Sequence, residues 1–171
     1  MERIIGGEFG GERPFYCKKD LYLENVIIRP GESGLKETAG ITCVKCRFEG
    51  KYPLWECDGF VVRDSILTVG ARSGLWYSRN GELYDTVIDC WIPGGTETFW
   101  DCSDIDVKDC VIERADYVFM HCENIVLENV KLQGNYGFQY AKNVVIRNCV
   151  LNSKDSFWEA ENVEVYDSVI N

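Results

Sequence analysis

Long apolar runs are missing from this chain. None of its 171 residues lies in an unbroken apolar stretch of about 18, so no transmembrane helix is expected. The N-terminus, Met1 through Gly7, lacks the apolar core of a signal peptide, and the expected location is cytoplasmic. Basic residues are scarce: 18 Lys and Arg stand against 28 Asp and Glu, for a net charge of -10. That balance speaks against a nucleic-acid partner, which needs a basic face. It also disfavours anionic polysaccharides unless a divalent cation bridges. Cys43 and Cys46 form the only CxxC, and no second pair answers it, so no zinc site or other metal site is expected. No helix start follows that pair to activate a thiol, so no redox dithiol is expected either. The nine cysteines read as small, reduced core residues. The glycine-rich nonapeptide of calcium-binding β-rolls is absent too, and no cofactor is expected.

What the chain does have is a repeat that runs from end to end. Trp100 to Ile112, Met120 to Leu132, Gln139 to Leu151 and Trp158 to Ile170 follow one template. A small residue and two polar positions precede apolar-x-apolar, then Asp or Asn, a second small residue, and Ile or Leu. The second small residue falls at Val26, Cys46, Ser65, Thr86, Cys110, Val130, Cys149 and Ser168, at intervals of 19 to 24 residues. The first falls at Thr38, Cys57, Ser78, Cys102, Cys122, Ala141 and Ala160. Apolar columns run beside them, among them Phe99, Phe119, Phe138 and Phe157. Alternation within each segment is the period of a strand. Gly, Asn and Asp recur at two further positions, where a sharp corner needs left-handed backbone. Three short strands per repeat, separated by turns, describe one rung of a coil. A leucine-rich repeat would need half of each period for a helix, and a left-handed hexapeptide coil would need a strict period of six. Parallel crossovers are right-handed by default. The fold class is therefore all-β: a right-handed parallel β-helix of roughly eight rungs. It makes one domain over 1–171, with residues 1–17 as an N-terminal cap and 18–171 as rungs. Residues 89–97 interrupt the rhythm as a loop, with Trp91 in it as a lid or a ligand contact.

The repeats, together with Glu8-Phe9, Arg13-Pro14-Phe15-Tyr16, Tyr52-Pro53-Leu54-Trp55, Gly74-Leu75-Trp76-Tyr77, Phe138-Gln139-Tyr140 and Asp155-Ser156-Phe157-Trp158, carry a resemblance. The chain resembles a bacterial family of uncharacterised proteins, a domain of unknown function with a pectin-lyase-like right-handed β-helix. The resemblance spans essentially the whole chain. It implies the fold and no activity. It also implies that this chain is shorter at its C-terminus than typical members.

One column has side chains suited to chemistry. Just before the first small residue stand Glu37, Glu56, Tyr77, Asp101, His121, Tyr140 and Glu159. One position earlier stand Lys36, Trp55, Trp76, Trp100, Met120, Gln139 and Trp158. Rings beside carboxylates suit the faces and hydroxyls of sugars. The expected ligand contacts are Trp55, Trp76, Tyr77, Trp100, Tyr140, Trp158 and Glu159, for a carbohydrate-like or other small polar ligand or a partner. The same residues could instead cap corners and cover core edges. As an enzyme, a glycoside hydrolase or lyase would draw on Glu56, Asp101 and His121. Two carboxylates two rungs apart, about 9–10 Å, approach the spacing of inverting glycosidases. The clustered acids or calcium ligands of polysaccharide-cleaving β-helices are lacking, so binding without catalysis is the expectation, with a purely structural module as the third reading. The last rung, Val163 to Ile170, is apolar and β-branched, and homo-oligomerisation through it is expected.

Overall fold

Strict alternation sets the strands. In Glu123–Glu128, Ile125 and Leu127 are buried while Glu123, Asn124 and Glu128 are exposed, the two-residue period of a pleated chain. The computed structural model describes residues 1–89 and 98–171. Across them this segment recurs as a nine-stranded parallel sheet: β1 (Glu2–Ile5), β3 (Leu21–Glu24), β5 (Ala39–Val44), β7 (Asp58–Arg63), β9 (Arg79–Tyr84), β11 (Ser103–Lys108), β13 (Glu123–Glu128), β15 (Lys142–Arg147) and β17 (Glu161–Tyr166). A second nine-stranded parallel sheet interleaves with it in sequence: β2 (Glu8–Glu12), β4 (Ile27–Glu32), β6 (Arg47–Phe48), β8 (Ile66–Leu67), β10 (Val87–Asp89), β12 (Val111–Glu113), β14 (Lys131–Gln133), β16 (Val150–Asn152) and β18 (Val169–Ile170). The chain is an all-β parallel solenoid. Among the described residues there is no helix, hence none long and apolar enough to cross a membrane.

Register turns the sequence columns into files of stacked side chains. Cys43, Val62, Leu83, Val107, Leu127 and Ile146 pair in succession along the first sheet. Phe48, Leu67, Ile88, Ile112, Leu132 and Leu151 do so along the second. Phe99, Phe119, Phe138 and Phe157 stack with ring centroids 4.6, 5.1 and 5.4 Å apart. One file contains a gap that another residue fills. Phe60 and Gly81 occupy paired positions, and a Cβ on Gly81 would stand 2.0 Å from the Phe60 ring. Only glycine leaves room for that ring.

The small residues at the corners do more than save space. Thr38 Oγ1 donates to the Leu35 carbonyl at 2.8 Å and Ser78 Oγ to the Leu54 carbonyl at 2.6 Å. Cys102 and Cys122 place their thiols against the Leu75 and Phe99 carbonyls in the same way. Read from sequence, these cysteines were small apolar fillers; in the fold they are weak donors to corner carbonyls. Burial pushes the Cys57 and Cys110 thiols up to about 11, which keeps them protonated and inert. The eight described cysteines are all free.

Residues 1–17, the expected N-terminal cap, make a rung at that end of the coil, β1 pairing with β3 and β2 with β4. One expectation is corrected. The third side of each rung is not a strand but two successive turns. Lys36 N bonds Ser33 O at 3.2 Å and Thr38 N bonds Leu35 O at 3.3 Å, while the intervening Leu35 N and Glu37 N reach the next rung at Pro53 O and Trp55 O. The same alternation recurs at 117–122, where Met120 N and Cys122 N close the turns and Phe119 N and His121 N bond across. The turns satisfy half of the backbone N–H groups locally and still tie rung to rung. The expected Trp91 loop lies outside the described residues.

Candidate functional site

The turn side carries the candidate strip, and backbone geometry explains its placement. In each turn the third residue takes positive φ. Cys17, Glu37, Glu56, Tyr77, Asp101, His121, Tyr140 and Glu159 all have φ between 52° and 59°. With a hydrogen bond from the residue after it to the residue two before it, this is the left-handed position of a type II turn, usually held by Gly or Asn. A left-handed non-glycine residue costs roughly 1–2 kcal/mol. The two strand corners obey that economy. Gly40, Gly59, Asn80, Asp104, Asn124, Asn143 and Asn162 occupy one, and Asn25, Asp64, Asp85, Asp109, Asn129, Asn148 and Asp167 the other, with Lys45 the exception in residue type in that second file, all at positive φ. The turn side instead holds mostly large aromatic and charged side chains at its left-handed positions. A second such column lies four residues earlier, at Arg13, Ser33, Tyr52, Ser73, Tyr117, Tyr136 and Asp155. Sequence reasoning missed it, because no Gly or Asn marks these turns.

The expected contacts fall into two groups. Trp55, Trp76 and Trp100 are half-buried and pack edge to face. The Trp55–Trp76 centroids are 6.2 Å apart at 75°, and the Trp76–Trp100 centroids 5.0 Å apart at 86°. Tyr52 wedges beside them, 5.4 Å from Trp55. The indole N–H groups of Trp55 and Trp100 are buried without a hydrogen-bond partner, so these rings serve mainly as a packed wall. Tyr77, Tyr140 and Trp158 are exposed, at 45%, 42% and 52%. They are the rings a ligand can reach.

Polar groups alternate with these rings. Lys36 bridges Glu37 at 3.3 Å and Glu56 at 3.7 Å. Tyr16 donates to Glu37 at 3.1 Å. Desolvation alone would push the Glu37 carboxyl up, but the hydrogen bonds from Lys36, Tyr16 and Cys17 outweigh it and hold the group below the ordinary carboxylate range. The counterpart is Tyr16, raised to about 12 by its hydrogen bonds with Cys17 and Glu37. His121 stacks on Tyr140, with centroids 5.0 Å apart and planes at 16°. Glu56, Asp101 and His121 all lie exposed in one file. Their order along it is fixed by bonds from Glu56 N to Trp76 O, Tyr77 N to Trp100 O and Asp101 N to Met120 O, so Tyr77 separates the two acids. Among the described residues no hydrogen bond or ion pair joins the three. Nor does any group of three or more His, Cys, Asp and Glu side chains gather there in a way that could hold a metal ion.

The profile of the family described as "Protein of unknown function (DUF3737)" matches residues 2–171. The chain belongs to that family. No curated protein matches it. Among solved structures, the chain is similar to QnrB1, a plasmid-mediated fluoroquinolone resistance protein, at 12% identity and a TM-score of 0.47, covering 99% of this chain and 91% of that one. It is similar to a putative glycosyl hydrolase from Parabacteroides merdae at 9% identity and a TM-score of 0.35, covering 98% and 80%. It is also similar to HetL, a pentapeptide repeat protein involved in heterocyst differentiation regulation from a Nostoc cyanobacterium, at 12% identity and a TM-score of 0.26, covering 98% and 86%.

Proposed function

We propose that this DUF3737 chain is a non-catalytic binding module whose turn side takes a carbohydrate-like ligand. One observation carries the reading. Glu56, Tyr77, Asp101, His121, Tyr140 and Glu159 stand at left-handed backbone positions, where Gly or Asn would cost less. Backbone cost accepted repeatedly along one outward column argues for selection on the side chains. Those side chains intersperse rings with carboxylates at the rung spacing of about 4.8 Å, His121 and Tyr140 forming one stacked pair. A sugar chain lying along the file meets apolar faces and hydrogen-bond acceptors in turn. Nuclear magnetic resonance titration with a panel of neutral oligosaccharides tests this. Saturable shifts confined to the turn side, lost in a Tyr77→Ala, Tyr140→Ala, Trp158→Ala triple variant that keeps wild-type circular dichroism, are expected. Shifts that the triple variant leaves unchanged would refute the reading, as would product formation from any bound oligosaccharide.

A further inference from the structure

The turn side already holds one ammonium group, its own. Lys36 Nζ lies 4.7 Å from the ring centroid of Trp55, within the range of about 6 Å at which an indole face attracts a cation. Glu37 and Glu56 flank it at 3.3 and 3.7 Å, and the Lys36 side chain is only 17% exposed. The arrangement has three parts: a cation from one rung, an indole from the next, and a carboxylate following that indole.

The repeat places the indole and the carboxylate together elsewhere. At Trp100–Asp101 the ring is taken, because Trp76 packs against it edge to face at 5.0 Å. At Trp158–Glu159 it is free. Trp158 is 52% exposed and makes no ring contact among the described residues. Glu159 is exposed, and among the described residues its side chain makes no hydrogen bond or ion pair. Tyr140 N bonds Trp158 O at 3.0 Å, so the preceding rung stands in the same relation as the rung of Lys36 does to Trp55. There Gln139 occupies the position of Lys36, and Tyr140 that of Glu37. This rung therefore has the receptor half of the arrangement without the internal cation.

We propose that Trp158 and Glu159 bind an ammonium group brought by an external ligand. The inference rests on the reading of the turn side as a carbohydrate-binding surface and narrows its ligand class. The favoured sugar carries a free amine rather than an acetylated amine, a bare hydroxyl or a uronate. Glu159 and the net charge of -10 oppose anions at this position.

The test follows the indole N–H resonance of Trp158, assigned with Trp158→Phe, at about pH 6, where amines are protonated. The probes are a glucosamine tetramer, its fully N-acetylated counterpart, a neutral glucose tetramer, and tetramethylammonium chloride against sodium chloride at equal ionic strength. The glucosamine tetramer and tetramethylammonium should shift the resonance saturably, and sodium should not. Glu159→Gln should weaken both by about threefold to tenfold. Gln139→Lys should abolish both, because it restores an internal ammonium over the ring. Two results would overturn the proposal: either variant titrating as wild type does, or the acetylated tetramer binding as tightly as the free amine. If tetramethylammonium binds through Glu159 while no saccharide binds, the ammonium site stands and the carbohydrate reading fails. If neutral and amino sugars bind equally, the reverse holds.

Discussion

Asp106 and Glu82 show what stacking identical positions can cost a single residue. They pair across β11 and β9 on the outward face of the first sheet. Desolvation chiefly, and the neighbouring Glu82 charge next, raise the Asp106 carboxyl above its ordinary value. A raised folded-state value means that the folded chain keeps the proton where the unfolded chain releases it. Stability is therefore lost as pH climbs from the unfolded carboxylate range, about 3.9, through the folded one. Asp106→Asn should raise the melting temperature at neutral pH and change it little below the unfolded value. A variant that helps equally at both would refute the assignment. Gly81 makes the opposite point, that an absent side chain can be structural. Gly81→Ala must displace the Phe60 ring and should cost about 1–3 kcal/mol in urea unfolding. A second change, Phe60→Leu, should recover part of that loss.

Among the elements, the two strands of each rung were legible and the turn side was not. Val62, Leu83 and Val107 declare a strand by alternation alone, and the pairing of β7, β9 and β11 follows the columns without a slip. The strand corners were legible as well, since Asn124, Asn143 and Asn162 are conspicuous turn residues. They also form a ladder, Asn143 Nδ2 reaching Asn124 Oδ1 and Asn162 Nδ2 reaching Asn143 Oδ1, each at 3.0 Å. The turn side offered no such mark. Its inward Leu54, Leu75 and Phe99 look like strand residues, and its left-handed positions hold Glu56, Tyr77 and Asp101 in place of Gly or Asn. The candidate residues could thus be found as a column, while the split between the packed Trp55–Trp76–Trp100 wall and the reachable Tyr77, Tyr140 and Trp158 needed side-chain packing to appear. Glu159→Asn tests the backbone account directly. Asn tolerates the left-handed region better, so the variant should gain a few tenths to about 1 kcal/mol in urea unfolding. A loss of stability would mean that Glu159 makes a stabilising contact in the folded chain.

At the scale of the whole molecule, stacked files make each rung a floor for the next. Val165, Val169 and Ile170 are 40%, 53% and 40% exposed on β17 and β18, and each of these strands has one neighbour. Self-association through this rung remains a proposal. Light scattering at micromolar concentration should show an oligomer that Val165→Lys with Ile170→Lys dissolves; a monomeric wild type would end the idea. One further property follows from register. Glu123 and its partner Lys142 are 19 residues apart, whereas Arg79 and its partner Ser103 are 24 apart. The longer circuit leaves the pairing of Leu83 with Val107 and Tyr84 with Lys108 undisturbed. The coil keeps count of floors, not of residues. A peptide tag spliced between β10 and β11 should leave every file aligned, whereas one extra residue inside β13 would turn its core side chains outward. This junction is a built-in doorway through which new sequence can enter a molecule that resists change along its strands.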